Sequence, residues 1–242
     1  MTIACHATFV SMRGVLLSAA LATAAGAQDP LWIRQGDLFA NGDSCRALAA
    51  DDAQGVFVCG RYSAGAVNIS AFLARYDAVG NRLWSRQFGV SGADQGSALA
   101  GDGAGGVFAT GSTFGSLGGA NAGLSDVWLA RYDSAGTRLW VLQLGSSEPE
   151  ESHAAASDGV GGVYIAGSTR GNLGGPISAA DPSDCWVAHY DGAGNRTWLQ
   201  QFGTSTEDQL LGAAPDGSGG VFVCGYTKGS LGGPFVGGFS DA

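Results

Sequence analysis

Three stretches of this chain are near-copies of one another. Phe72–Gly89 reads FLARYDAVGNRLWSRQFG, Trp128–Gly145 reads WLARYDSAGTRLWVLQLG, and Trp186–Gly203 reads WVAHYDGAGNRTWLQQFG. A second phrase alternates with the first: GGVFATGSTFGSLGG from Gly105, GGVYIAGSTRGNLGG from Gly161 and GGVFVCGYTKGSLGG from Gly219. Gly55, Gly106, Gly162 and Gly220 hold the same place in successive copies, at spacings of 51, 56 and 58 residues. A period this long points to a propeller, a solenoid or an array, in which each unit needs its neighbour to cover its apolar surface.

Each unit divides into four short strand candidates. In the second unit these are Ser97–Asp102, Gly106–Ser112, Asp126–Asp133 and Arg138–Gly145. The last three are rich in aromatic and β-branched residues and too short for typical helices. The connections Asp102-Gly-Ala-Gly-Gly106 and Asp133-Ser-Ala-Gly-Thr137 place Asp first and Gly fourth. That is the signature of a type I turn closing a hairpin with a G1 bulge, the Asp capping the turn and the Gly taking positive φ. The turn recurs at Asp77–Asn81 and Asp191–Asn195.

The strands are apolar on both faces. In DVWLARYD, Trp128, Ala130 and Tyr132 point one way and Leu129 and Arg131 the other. A sheet with two apolar faces needs a neighbour on each side, which a ring of blades supplies while leaving few free edges. A β-solenoid is the rival, with coils that are usually shorter and without the repeated hairpin turn. The expected fold is all-β, a β-propeller of four-stranded antiparallel blades at about 43–89, 94–145 and 150–203, with a partial fourth at 208–242. Leu31–Asp37 (LWIRQGD) reads as an orphan outer strand, and Phe239–Ala242 as the approach to a third strand, so an incomplete ring is expected, prone to self-association through open blade edges.

The GxVYVAGST-like strand, the Asp before the FLARYD-like strand, the DxxGNxxW turn and the QFG ending together resemble the secreted bacterial β-propeller repeat family, often called SBBP repeats. The resemblance runs from Leu31 to Ala242. It implies the propeller fold and an exported or surface-associated repeat protein, and it carries no shared catalytic set, since one fold hosts many activities.

Arg13 precedes an apolar run, Val15–Ala25, that ends in Ala25-Gly26-Ala27. A basic start, a short apolar core and an A-x-A site make residues 1–27 a secretory signal peptide, with Met12 the better start, and the chain secreted or displayed at the cell surface. The run is too short to span a bilayer. The 45% hydrophobic and 14% charged content is that of a folded chain, and the 42 glycines recur at fixed places in each unit. The formal net charge is −9 and Lys228 is the only lysine. Nucleic-acid binding needs a basic face, so that partner is excluded, and an acidic surface disfavours anionic membranes.

Candidate chemistry is sparse. His6 precedes the cleavage site, His189 replaces Arg75 and Arg131 on a strand, and His153 lies in an inter-blade loop; none has a nucleophile motif or metal-ligand spacing beside it. Asp43, Asp94, Glu150 and Asp208 precede each first strand, and Asp126, Asp184 and Asp241 each third strand, all at one end of the ring. Within a blade such acids lie roughly 10 Å apart, two strand spacings. They either share a hydroxyl from the Thr113, Thr169 or Thr227 strand end, bind a hard cation such as calcium (Asp94, Asp126, Asp184 and Asp208 being the candidate ligands), or simply cap turns. Glycine-rich GSLGG loops on the same face lack the helix N-terminus or lysine that phosphate needs.

The DxxGxxxW phrase also resembles the tryptophan-docking repeats of quinoprotein dehydrogenases, with a turn one residue shorter and without their adjacent cysteines. Trp84, Trp140 and Trp198 are accordingly assigned to docking between blades. Cys45 and Cys59 lie on two strands of one hairpin and are the disulfide candidate in an oxidising compartment. The reading that follows is an exported, non-enzymatic binding or structural module with an unknown protein or glycan ligand and no required cofactor. The alternative is a secreted or periplasmic enzyme, lyase, hydrolase or quinoprotein-like, on the same scaffold.

Overall fold

A computed structural model describes residues 15–19, 32–36, 42–63, 69–90, 93–177 and 183–233. These residues are all-β and contain no helix. Strands β1 (Val15–Ala19) and β2 (Trp32–Gly36) pair antiparallel. The first repeat unit supplies β3 (Ser44–Ala50), β4 (Val56–Ser63), β5 (Ile69–Tyr76) and β6 (Arg82–Phe88). The second supplies β7 (Gln95–Gly101), β8 (Val107–Thr113), β9 (Asp126–Tyr132) and β10 (Arg138–Leu144), and the third β11 (Glu150–Ser157), β12 (Val163–Thr169), β13 (Asp184–Tyr190) and β14 (Arg196–Phe202). Strands β15 (Asp208–Pro215) and β16 (Val221–Thr227) begin a fourth. Each complete unit is one antiparallel four-stranded sheet in chain order, as the alternation of strand and turn predicts. The approach to a further strand at 239–242, Asp241 and the Ala25–Ala27 motif lie outside the described residues.

The turns have the expected chemistry. Asp133 Oδ1 accepts the amides of Ala135 and Thr137, and Gly136 takes φ +76°. In the first hairpin of the first sheet the fourth position is Gln54, at φ +65°, a conformation that costs an L-residue strain. Every first strand skips one residue against the second, at Arg46, Ser97, His153 and Leu211. His153 is thus the bulge residue of β11 and not a loop residue. Its ring accepts or donates a bond at Ser168 Oγ, 3.3 Å away.

Both faces of the middle sheets are buried, as alternation requires. Phe57, Cys59 and Leu73 of the first sheet pack against Leu99, Val107, Trp128 and Tyr132 of the second. On the opposite face, Phe108 and Leu129 meet Val163, Ile165, Trp186 and Tyr190 of the third. Ala154, Ala166 and Val187 then meet Leu210 and Val223 of the fourth. The first strands adjoin one another, β3 beside β7, β7 beside β11 and β11 beside β15. Their small side chains, as in QGSALAG and EESHAAAS, let the sheets converge there. The sheets splay toward β6, β10 and β14, whose first two residues are exposed. This is the wedge geometry of propeller blades.

The expected Cys45–Cys59 bridge is not formed, and both thiols are free. The bulge at Arg46 sets Cys45 opposite Gly60 and leaves Cys59 opposite Ala47. Adjacent strand positions face opposite ways. Cys59 therefore belongs to the core shared with the second sheet, while Cys45 packs with Val56, Val58 and Phe72 on the other face.

The docking tryptophans reach where the repeat phrase suggests. Trp84 Nε1 donates to Ser134 O at 3.0 Å and Trp140 Nε1 to Gly192 O at 3.1 Å, each on the Asp-x-x-Gly turn of the following sheet. The rings are half-buried, which is less than full packing would give; the fully buried indoles are Trp128 and Trp186 on the third strands. Trp198 is half-buried too and packs against the core shared with the fourth sheet, with Tyr164 and His189 beside it. Arginine reinforces the docking: Arg131 binds Asp102 of its own sheet and donates to Gly192 O of the next. His189 replaces that arginine in the third sheet and meets Asp158 Oδ2 at 2.9 Å.

Candidate functional site

The tight turns lie at one end of the sheets and the long loops, with the repeated acids, at the other. First-strand acids cap the end of the preceding sheet: Val90 N donates to Asp94 Oδ2, Ser146 N to Glu150 Oε2 and Thr204 N to Asp208 Oδ2. The second-strand threonines complete the shell of two of them. Thr113 Oγ1 donates to Asp94 Oδ1 at 2.5 Å and Thr169 Oγ1 to Glu150 Oε1 at 2.8 Å. Burial pushes the carboxyls of Asp94 and Glu150 above their ordinary range, against the pull of these donors, and the charge of Asp126 adds to the rise at Glu150.

Third-strand acids are held differently. Asp126 Oδ2 accepts from Ala122 N at 2.9 Å and from Gln143 Nε2 at 2.7 Å, and Asp184 Oδ2 from Gln201 Nε2 at 3.1 Å. Gln143 also fastens the glycine-rich loop, accepting from Leu117 N and donating to Gly115 O. Gln201 repeats the pattern with Leu173 N and Gly171 O. The Gln of QLG and QFG recurs in every copy, at Gln87, Gln143 and Gln201, and sequence pattern alone gives it no role.

The acids come together across sheet boundaries, not within a sheet around a shared hydroxyl. Convergence of the first strands brings β9 against β11 and β13 against β15. Glu150 N donates to Ser125 O, and Asp208 N to Ser183 O, each at 2.8 Å, so the acid following each serine neighbours the first-strand acid of the next sheet. Asp126, Glu150, Asp184 and Asp208 are all fully buried. Asp126 Oδ1 and Asp208 Oδ1 have no hydrogen-bond partner. At the first boundary Asp94 instead faces Ser70, and Asp43 is buried at the start of the first sheet.

Beside the Glu150 junction opens a cleft of about 620 Å³ between the second and third sheets. Leu124 and Ile177 give it apolar walls, and Ser147, Glu148, Arg170 and Asn172 supply donors, acceptors and both charges. Arg170 stands where the neighbouring units have Phe114 and Lys228, so this position changes chemistry from unit to unit. Among the described residues no group of three or more His, Cys, Asp and Glu side chains is arranged to hold a metal ion.

Residues 83–118 match the family model for a beta-propeller repeat, SBBP. The match starts in β6 and ends in the loop after β8, offset from the sheet by one strand. The regulatory protein FlaEY of Caulobacter vibrioides is 32% identical over 118 residues, which are 45% of this chain and 12% of that protein. The chain thus corresponds to a small part of that relative's length. Three four-stranded sheets built from one repeated phrase give the described residues the blade architecture of a beta-propeller, and residues 83–118, running from the first sheet into the second, are similar to the SBBP beta-propeller repeat.

Proposed function

We propose that this chain is an exported, non-enzymatic binding or structural module, acting at the cell surface or outside the cell, which offers its loop end to a protein or glycan ligand. The observation that carries the reading is the cleft at the second sheet boundary. A concave site with apolar walls and a few polar groups is the usual form of a ligand pocket. It sits on a rigid stack of sheets, on loops whose chemistry differs between units at Phe114, Arg170 and Lys228.

Export rests on the Arg13, Val15–Ala25 and Ala25–Ala27 pattern. Among the described residues no helix is long and apolar enough to cross a membrane. Cleavage after Ala27 would remove β1 and leave β2 without the strand it pairs with, an edge through which copies could associate.

The test is a thermal-shift screen of the chain against soluble glycans and peptides, repeated with Arg170→Ala. A ligand that raises the melting temperature of the parent and not of the variant supports the cleft. A panel without effect, or a shift untouched by Arg170→Ala, refutes it. N-terminal sequencing of protein recovered outside the producing cell tests export, with a mature start at Gln28 expected.

A further inference from the structure

We propose that two sheet junctions each hold a hard divalent cation of the calcium class, one between Asp126 and Glu150 and one between Asp184 and Asp208. Each junction sets two fully buried carboxylates side by side. Two like charges out of water are strongly unfavourable unless a counter-charge joins them. One oxygen at each junction shows where that charge is missing: Asp126 Oδ1 and Asp208 Oδ1 are buried and accept nothing.

The repeated glycine that ends each fourth strand lets these carboxylates pack directly against its Cα. A side chain on Gly203 would begin 2.3 Å from Asp184 Oδ1 and 3.0 Å from Asp208 Oδ2, so both carboxylates press on the same glycine and lie close to each other. At Gly145 the same point lies 2.1 Å from Asp126 Oδ1. The available anionic donors are oxygens. The neighbouring Cys185 packs in the apolar core with Ala166 and Leu210 instead. Oxygen-only donors select calcium-like over thiophilic ions, with carbonyls and water completing the shell.

The first boundary is an internal control. There Ser70 replaces the third-strand acid, and its Oγ lies 3.2 Å from the Cβ point of Gly89, where Asp94 Oδ2 lies at 2.4 Å. Asp94 is alone, and both of its oxygens accept hydrogen bonds, from Val90 N and from Thr113 Oγ1. The described junctions therefore call for two cations and not three, and Ser70 shows that serine fits this position.

The test is equilibrium dialysis of the whole chain, stripped with chelator, against calcium chloride, with circular dichroism to confirm folding. Two ions should bind per chain and raise the melting temperature. Asp126→Ser and Asp184→Ser should each bind one, the double variant none, and Ser70→Asp should gain a third. No binding at calcium up to about 10 mM, tenfold above the weak end of extracellular calcium modules, would overturn the proposal. So would a stoichiometry that ignores these substitutions.

Discussion

Replacing Gly136 with alanine probes whether the turn of one sheet is the receptor for the sheet before it. Gly136 has φ +76°, so any side chain there adopts the left-handed conformation at a cost of about 1–2 kcal/mol. Its new Cβ would also lie 2.7, 2.9 and 3.0 Å from three atoms of the Trp84 indole. That ring is held by its bond to Ser134 O and by Arg86, which donates to Gly136 O at 2.9 Å, so it has little freedom to retreat. Overpacking of this kind adds about 1–3 kcal/mol, for a total of about 2–5 kcal/mol. Gly105 supplies the comparison, since its φ is +82° but its nearest neighbour would be Ser134 Cβ at 3.7 Å. Gly105→Ala should therefore cost only the backbone strain, about 1–2 kcal/mol. Urea unfolding at constant m-value measures both. In a double-mutant cycle Trp84→Ala should absorb the overpacking part of Gly136→Ala, a coupling of about 1–3 kcal/mol. Equal costs for the two glycine variants, or strict additivity with Trp84→Ala, would refute docking on the turn.

Gln54→Gly should stabilise the chain by up to about 1 kcal/mol, because it relieves φ +65° and loses part of that gain to the freer unfolded chain; a loss in urea midpoint would count against it. Arg131→Met should cost about 3 kcal/mol by stranding buried Asp102, whereas Arg131→His should be milder, since His189 fills that role in the third sheet. With a thiol reagent on the native chain, exposed Cys224 should react promptly and Cys59 only on unfolding, because burial pushes the Cys59 thiol up and starves it of thiolate. Asp158 is held below the ordinary carboxyl range: burial pushes it up, but His189 and the amides of Val160 and Gly162 pull it down further. A depressed folded value means its contribution is present above the unfolded carboxyl value of about 3.9 and fades as pH falls through the folded one. The stability gap between the parent and Asp158→Asn should accordingly close below about pH 4.

Periodicity exposed the strands, the hairpin turns and the two-faced burial because each rests on local rules repeated in every copy. The strands of the second sheet begin and end within two residues of their expected bounds. What failed depends on register. The bulge at Arg46 is invisible in composition, yet it turns Cys45 away from Cys59. The grouping of the acids depends on how sheets converge, which is set by the small residues of the first strands and not by the acids themselves. The glutamines were legible in principle: a polar residue kept at the same strand position in each copy has a partner to satisfy, and Asp126, Asp184 and the glycine-rich loops are those partners. The cleft combines loops that are not alike between units, and repetition carries no information about such differences.

The short turn from Asp133 to Thr137 closes its own hairpin and also offers Ser134 O to Trp84 and Gly136 O to Arg86. An inserted residue there would disturb two sheets at once, so the length of this end is fixed by its neighbour. The opposite end is tied mainly at its two edges: in residues 114–125, which link β8 and β9, Gln143 grips the stretch nearest β8, and Ser125 O accepts from Glu150 N of the next sheet. Variation is therefore confined to one end of the scaffold. Loops of new length and sequence grafted after Gly119 would alter what the molecule grips while the stacking of its sheets stays the same.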